Sequence, residues 1–336
     1  PVLGRNLIGW CQRGMRFNFG IIRKKLLGKY MIGYLFLFAN VLVGVSKGYC
    51  GKKSSEHING ITDGLLLQSI RVLLCVVIGG ILFFISGEGL EVDKTILIIS
   101  ALNGLANAAF FLSWLFAVRG GAYLFVDVCL TAGGILIPCF SGALFFGGTI
   151  KPTQYIGIVI MMAAVFVMCG YNNSITKKKL SITDILLLLC VALSNGLMGF
   201  CQKFFTYYTD EANVVCNKSY FGLLTFIFAA IIFIIAIPIV CKKTKITIKQ
   251  SFNKFPFKRL WVYIIFIAIF LYLDTYLGTL TNEYITNTVL IYPLKFGSNL
   301  ILSAIMAAVM FKEKINLRSI FGMILITISI VLINVI

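Results

Sequence analysis

The sequence has little of what most enzyme sites are built from. Its 336 residues include one histidine, His57, and only twelve aspartates and glutamates. Because this single histidine lies in a predicted loop, a histidine-based metal site and a Ser/His or Cys/His nucleophile pair deep in the membrane are excluded. The ten cysteines include no CxxC pair, and the chain has neither a GxxxxGK[ST] loop nor a GxGxxG fingerprint. We therefore expect no enzyme, no cofactor and no metal site.

Apolar residues dominate the chain instead. They make up 59% of it and the mean hydropathy is +0.96, whereas the apolar share of a soluble domain is nearer half. Windows of about 20 apolar residues, long enough to cross roughly 30 Å of hydrocarbon as a helix, recur along the chain. We predict ten such spans, at 30–48, 63–86, 95–118, 122–146, 153–171, 183–206, 214–241, 259–280, 286–311 and 317–336. The connections are too short for a separate soluble domain, so we expect an all-α, multi-pass protein of the cell membrane, surrounded by the lipid bilayer.

The net charge of +18 comes from lysines and arginines that cluster in the connections between spans. This loop pattern indicates membrane topology, so we expect no nucleic-acid partner. The basic connections follow the odd-numbered spans, which predicts that those connections are cytoplasmic and that both termini are outside. Residues 1–30 form a basic tail that would draw the N-terminus inward. Because this tail starts at Pro1 and Met31 opens the first span, we interpret it as upstream translation or a fragment end.

Two halves of the chain resemble each other. The stretch "ALFFGGTIKPTQYIGIVIMMAAVFVM" (143–168) aligns with "AAVMFKEKINLRSIFGMILITISIVLI" (307–333), so that Gly157 meets Gly322. The same offset of 165 residues pairs 111–128 with 276–293, and a shifted register pairs 39–48 with 194–203. We predict two five-helix repeats, 31–171 and 183–336, joined by a basic linker, 172–182. Because five is odd, the second repeat enters the membrane from the opposite side, and inverted repeats are typical of secondary transporters.

The hairpin "FKEKINLRSIFGMIL" (311–325), which follows a helix containing a proline, resembles the EamA-like, ten-helix branch of the drug/metabolite transporter superfamily. The resemblance covers about residues 31–336. It implies two inverted five-helix repeats around a central cavity, and transport of a small solute without ATP hydrolysis. Glu313 matches the family's glutamate in this hairpin, but Gly148 stands at the matching position of the first half, so a loop-fixing role is expected for Glu313. The resemblance also implies cytoplasmic termini, against the charge distribution, and both orientations stay open.

Ionisable side chains deep in the bilayer are costly, so they tend to be paired or to face a wet cavity. Arg71 and Asp127 are predicted at roughly 10 Å from the same membrane side, and Asp274 and Lys295 form a second possible pair in the other half. Each pair is either a structural clamp or part of a solute site, and either aspartate could carry a coupling proton. Lys47 lies near the predicted end of the first span, where we expect it to snorkel to the interface.

Uncharged polar and aromatic residues complete the candidate site. Taken singly, each could equally be packing between helices or part of an interface belt. Because such residues occur in both halves of the chain and are expected to converge, a solute site is favoured. They are the repeat mates Asn40 and Asn195, the i, i+4 pair Asn103 and Asn107, then Asn299, Trp114, Tyr276 and Tyr292.

The stretch "LIYPLKFG" (290–297) places Pro293 and Lys295 inside an apolar run. A proline frees backbone carbonyls, which are tolerated in a membrane only where protein or cavity water satisfies them. Pro138 is predicted to interrupt the matching span of the other half, and paired interruptions point to a transporter's site. An anionic or zwitterionic solute is expected if Lys295 is unpaired, and a neutral one if Asp274 neutralises it.

These observations predict a secondary transporter that moves a small polar or amphipathic metabolite by alternating access, with proton coupling as an open question. The alternative is a non-transporting membrane sensor or scaffold built on a transporter-like bundle. Solute-dependent flux separates the two, because a scaffold moves no solute.

Overall fold

The structure, a computed structural model, describes residues 31–86, 93–145, 151–177, 179–212, 218–245, 247–285 and 288–334. The basic tail 1–30 and Gly148 lie outside these residues. Within them the chain forms helices and short connections. The helices are α1 Met31–Ser55, α2 Ile61–Ser86, α3 Lys94–Gly120, α4 Tyr123–Phe145, α5 Pro152–Thr176, α6 Ile182–Glu211, α7 Lys218–Thr244, α8 Ile248–Lys254, α9 Phe257–Tyr284, α10 Thr288–Val309 and α11 Leu317–Asn334.

Eight of these helices are long and apolar enough to cross a membrane, namely α1 to α7 and α9. The apolar stretches Leu294–Val309 in α10 and Leu317–Ile333 in α11 are shorter. Large apolar side chains such as Phe84, Phe166 and Leu186 are exposed on the outside of the bundle. Such a surface suits lipid and not water, so the helices indicate a multi-pass membrane protein. The all-helical prediction is confirmed for the described residues, and the count of ten spans stays a prediction.

Local sequence signals set several helix starts. The Asp93 side chain accepts a hydrogen bond from the Ile96 backbone N–H at 3.0 Å, which caps α3. Ser181 and Asp184 form a reciprocal capping box at the start of α6. Pro152 occupies the first turn of α5, where its missing N–H has no partner to lose.

Some predicted boundaries were wrong. α1 continues past 48 to Ser55, and α5 runs to Thr176, which leaves a linker shorter than 172–182. The basic connection after α7 contains the short helix α8, whose start is capped by Thr247. Pro138 lies within α4 without ending it, and α10 likewise continues through position 293. A proline removes one donor only, and neighbouring groups in a packed bundle compensate for that loss.

The helices pack around a polar centre. α2 contacts α7 and α9, α3 contacts α6 and α7, and α4 contacts α6 and α10. α5 and α11 pack against each other along much of their length. Gln154 near the start of α5 donates to the Ile333 carbonyl at 3.0 Å, and Asn316 before α11 donates to Ser174 at 2.9 Å. Because the start of each helix meets the end of the other, α5 and α11 are antiparallel.

One end of the bundle, here called the basic end, carries the connections after α1, α3, α5, α7 and α10. These connections hold most of the loop lysines, among them Lys177, Lys245 and Lys312, and the last turn of α1 adds Lys53 at the same end. The positive-inside rule favours a cytoplasmic location for this end.

Candidate functional site

Three charged side chains meet in the middle of the bundle. Asp274 of α9 pairs through Oδ2 with the ammonium group of Lys47 on α1, and through Oδ1 with that of Lys295 on α10 at 3.4 Å. Asn40 lies two helical turns before Lys47 on the same face of α1. Its side-chain amide donates to the Asp274 backbone carbonyl at 2.8 Å and to the Asp274 Oδ1 atom at 3.1 Å. We call Lys47, Asp274 and Lys295 the charged centre.

Aromatic rings flank both lysines. The Lys47 ammonium lies 6.0 Å from the centroid of the Phe110 ring, and the Lys295 ammonium lies 5.6 Å from that of Phe296. A ring face attracts a cation, and this attraction increases where water is scarce. The centre therefore joins three helices and keeps two positive charges beside one carboxylate.

Two cavities adjoin the charged centre and share part of their lining. The larger extends toward the basic end, and the smaller lies on the other side. Both are bounded by the charged centre together with Asn195 and the rings of Phe110 and Phe296. The charged layer thus lies between two spaces, one toward each end of the bundle.

The larger cavity also contains Arg71 and Asp127, both of which are buried. The Arg71 guanidinium donates to Gln68 Oε1 at 3.2 Å and to the hydroxyl of Ser54, while its Nε–H is buried without a partner. The Oδ2 atom of Asp127 is likewise buried without a hydrogen bond. Arg71 and Asp127 share this cavity but do not form an ion pair, so the predicted pair is absent among the described residues.

A third space, here called the vestibule, lies at the basic end. Its charged lining residues are Lys52, Lys53, Glu56, Arg119, Lys312 and Glu313. Trp114 and Tyr123 line the larger cavity, and Phe311 lines the vestibule. The Tyr123 ring is 5.1 Å from Phe311 and 6.5 Å from Trp114, so these aromatic rings separate the two spaces.

Glu313 has a structural position at this end. Its Oε1 accepts the Tyr123 backbone N–H at 2.7 Å, and its Oε2 accepts the Leu124 N–H at 3.4 Å and the Tyr171 hydroxyl at 3.3 Å. The free N–H groups at a helix start carry partial positive charge, which a carboxylate stabilises. Glu313 therefore fixes the start of α4 from the hairpin between α10 and α11, as a loop-fixing role would require.

The structure brings most of the predicted site residues together. Those lining the larger cavity are Lys295, Asp274, Arg71, Asp127, Asn195, Asn299 and Trp114. Asn107 and Tyr292 line the smaller cavity. Asn40 lies behind the cavities, where it positions Asp274. Asn103 donates to Thr225 of α7 at 3.0 Å and Tyr276 packs partly buried against the core, and neither lines a cavity at the centre.

Lys47 is the residue that the sequence reasoning placed wrongly. It was expected to reach the interface because the first span was predicted to end at 48. α1 ends at Ser55, so Lys47 lies eight residues, about 12 Å, inside the helix. The stretch "KGYCGKKSS" (47–55) carries no apolar signal, and its glycines are weak helix formers, so no local pattern indicates that α1 continues through it.

Gln68 and Ser303 are further cavity residues that the sequence did not single out. Isolated polar residues of this kind are common in membrane helices, so no pattern distinguishes them. Within the part of the chain that the structure describes, no cluster of three His, Cys, Asp or Glu side chains could hold a metal ion.

The fold has counterparts among proteins of known structure. One match is a crystal structure of a protein whose description gives no function, with a TM-score of 0.61 and 14% sequence identity. The match covers 90% of this chain and 97% of that chain. At this identity the likeness shows a common fold. No protein-family model and no curated protein matches the sequence.

Proposed function

We propose that the chain is a secondary transporter of the drug/metabolite transporter superfamily, which moves a small polar or amphipathic metabolite across the cell membrane by alternating access. The observation that carries this proposal is the charged centre between two cavities. A solute site of an alternating-access transporter must be reachable from each side in turn, and it needs polar groups at mid-membrane depth. In support of this proposal, the charged centre supplies the polar groups, and the two adjoining cavities supply a space toward each end of the bundle.

The helix packing supports an inverted duplication. Under the predicted repeat, α1 to α5 correspond to α6, α7, α9, α10 and α11. α2 packs on its counterpart α7, α4 on α10, and α5 on α11. A two-fold relation between the halves has this consequence, because elements near the axis contact their own copies.

The α5–α11 contact supports the same relation at the level of residues. A Cβ on Gly157 would lie 2.8 Å from Ile333 and 2.9 Å from the Ser329 carbonyl. A Cβ on Gly322 would lie 2.7 Å from Met168 and 3.9 Å from the Ala164 carbonyl. Adding the repeat offset of 165 to 157, 164 and 168 gives 322, 329 and 333. Each glycine thus meets the counterparts of the residues that its own copy meets.

Flux in proteoliposomes tests the proposal. The purified chain is reconstituted, loaded with unlabelled solute, and assayed for uptake of the labelled solute down its exchange gradient, with a panel of amino acids, sugars, nucleotides, organic acids and organic cations. We expect exchange of one solute class, and loss of exchange in Lys295→Met. The conservative variant Lys249→Gln, on the exposed face of α8, serves as the matched control.

Proton coupling is tested in the same vesicles by imposing a pH gradient. Accumulation of the solute against its own gradient, abolished by a protonophore, supports coupling. Solute-dependent thermal stabilisation without flux in either assay would instead favour the sensor or scaffold, and would overturn the transport proposal.

A further inference from the structure

The charges that line the larger cavity do not cancel. Its lining holds three cations, Lys47, Arg71 and Lys295, and two carboxylates, Asp127 and Asp274. The formal balance is three minus two, or one positive charge. An uncompensated charge at this depth is costly, so the cavity favours an occupant that supplies a negative charge.

We propose that the solute is a small organic anion whose acidic group binds between Lys47 and Lys295. This inference rests on the proposed transport function and names the class of its substrate. The Asp274 carboxylate shows that an acidic group can bind between the two lysines, because each of its oxygens contacts one of the two ammonium groups. One carboxylate cannot neutralise two lysines, and each ammonium group has three donors. The remaining donors are available to a second acid.

The far end of the solute meets a different group. The buried Oδ2 of Asp127 accepts no hydrogen bond in the part of the chain that the structure describes. Ser303, eight residues and therefore two turns, or about 12 Å, along α10 from Lys295, hydrogen-bonds the same carboxylate and leaves its Oδ2 atom without a partner among the described residues. An unpaired buried acceptor favours a ligand that donates to it. The solute is therefore an acid with a hydroxyl or another donor at the end away from the acidic group.

The vestibule has the same sign of charge as the cavity. Its lining carries four cations, Lys52, Lys53, Arg119 and Lys312, and two carboxylates, Glu56 and Glu313, which leaves two positive charges. Glu313 is engaged at the start of α4. A cleft lined by one sign of charge raises the local concentration of counter-ions and speeds their entry. Anions therefore concentrate at the basic end before they reach the aromatic rings.

A purely structural clamp of three helices is the competing explanation of the charged centre. A clamp predicts that Lys47 and Lys295 affect stability alone, with no dependence on added solutes. An anion site predicts a response that depends on the solute's charge and on both lysines. A matched series of solutes separates the two.

The experiment measures the melting temperature of the full-length purified chain from its intrinsic fluorescence, with four-carbon probes of equal length and different charge. The probes are butyrate, 4-hydroxybutyrate, succinate, 1,4-butanediol and 4-aminobutan-1-ol, with propyl phosphate as a phosphate of matched length. We expect stabilisation by the anions, with 4-hydroxybutyrate binding more tightly than butyrate, and none by the diol or the amine.

Variants locate the site. Lys295→Met and Lys47→Met should each weaken the apparent affinity for 4-hydroxybutyrate about tenfold, as expected when one partner of a partly buried charge pair is removed. Asp127→Asn should reduce the advantage of 4-hydroxybutyrate over butyrate. Lys249→Gln should leave all responses unchanged. The melting temperature of each variant without solute reports whether it is folded.

Several outcomes overturn the inference. These are stabilisation by the diol or the amine alone, no stabilisation by any anion, or an anion effect that is equal in wild type and in both lysine variants. Failure of the transport proposal is distinguishable from these results. Lysine-dependent anion binding without flux in proteoliposomes sustains the anion site and rejects transport, whereas flux of a neutral or cationic solute sustains transport and rejects the anion.

Discussion

The Asp274 side chain connects three helices through two lysines, and this makes it the residue whose loss is most informative. In Asp274→Asn both ammonium groups lose their counter-charge while they remain partly buried. Removal of one partner from a fully buried ion pair costs roughly 3–5 kcal/mol, and partial exposure lowers that cost. We therefore expect the free energy of unfolding to fall by about 1–3 kcal/mol, as measured by equilibrium unfolding in mixed SDS micelles.

A triple variant tests the cause of that loss. In Lys47→Met, Asp274→Asn, Lys295→Met the three charges are removed together, and we expect stability between that of Asp274→Asn and wild type. If Asp274→Asn is as stable as wild type, the lysines have other partners and the charged centre does not hold the helices together.

At the scale of residues, the sequence predicts which side chains belong to the candidate site better than it predicts which of them pair with each other. Asp274 and Lys295 form the ion pair that their depths allowed, because both lie on long helices whose ends were placed nearly correctly. Arg71 and Asp127 were placed at matching depth by the same arithmetic, yet Arg71 binds Gln68 and Ser54 instead. The depth of a residue in the bundle fixes its position along the helix axis only. The rotation of each helix, which decides its partner, is set by packing that no single helix encodes.

At the scale of helices, the start of α4 depends on a residue far along the chain. Tyr123 and Leu124 donate their backbone N–H groups to Glu313. In Glu313→Ala these donors lose their partner, and we expect about 1 kcal/mol of destabilisation, the usual cost of losing a helix cap. Glu313→Gln keeps an acceptor oxygen but not the charge. Its free energy of unfolding should lie between those of Glu313→Ala and wild type in the same assay.

Lys314→Gln is the control for this prediction, because Lys314 is exposed in the same hairpin. It should unfold like wild type. Equal stability of Glu313→Ala and Lys314→Gln would show that the cap contributes nothing to the stability of α4.

The α5–α11 contact gives a graded prediction. In Gly157→Ala the new methyl group meets the backbone carbonyl of Ser329 at 2.9 Å, which can move only if the helix moves. In Gly322→Ala it meets the flexible side chain of Met168, whose far end can rotate away. Overpacking costs about 1–3 kcal/mol, so we expect that loss for Gly157→Ala and a smaller one for Gly322→Ala.

Gly80→Ala is the matched control for both substitutions. Gly80 lies within α2, and a Cβ there would meet nothing within 4 Å. Since alanine favours a helix over glycine, this variant should be as stable as wild type or more so. Equal effects of all three alanines would mean that the helices are not in close contact at these glycines.

The sequence predicts which segments are helical, but it does not predict where the helices end. Apolar length predicts that a segment is helical, but α1 continues for seven residues beyond the predicted end at 48, through glycines and lysines that have no apolar signal. α8 was hidden in a connection whose lysines dominate its composition. Hydrophobic length measures the part of a helix in lipid, whereas capping and tertiary contacts decide where the helix stops.

At the scale of the whole molecule, the proposed inverted repeat makes a prediction about membrane sides. Lys151 precedes α5 and Lys314 precedes α11, so under the proposed repeat they occupy corresponding connections of the two halves. In an inverted duplication these connections lie on opposite sides of the membrane, whereas a parallel duplication places them on the same side. The antiparallel packing of α5 on α11 and the odd number of spans in each half both favour opposite sides.

Single-cysteine variants measure this directly. Lys151→Cys and Lys314→Cys, in a background without the native cysteines, are treated in intact cells with a membrane-impermeant thiol reagent, and again after permeabilisation. We expect one of the two to react in intact cells and the other only after permeabilisation. Because Lys314 is at the basic end, the positive-inside rule predicts that Lys314→Cys is the protected one. Reaction of Lys314→Cys alone would keep the inverted repeat and reverse the orientation, as the family resemblance implies, while identical reactivity of the two would reject the inverted repeat itself.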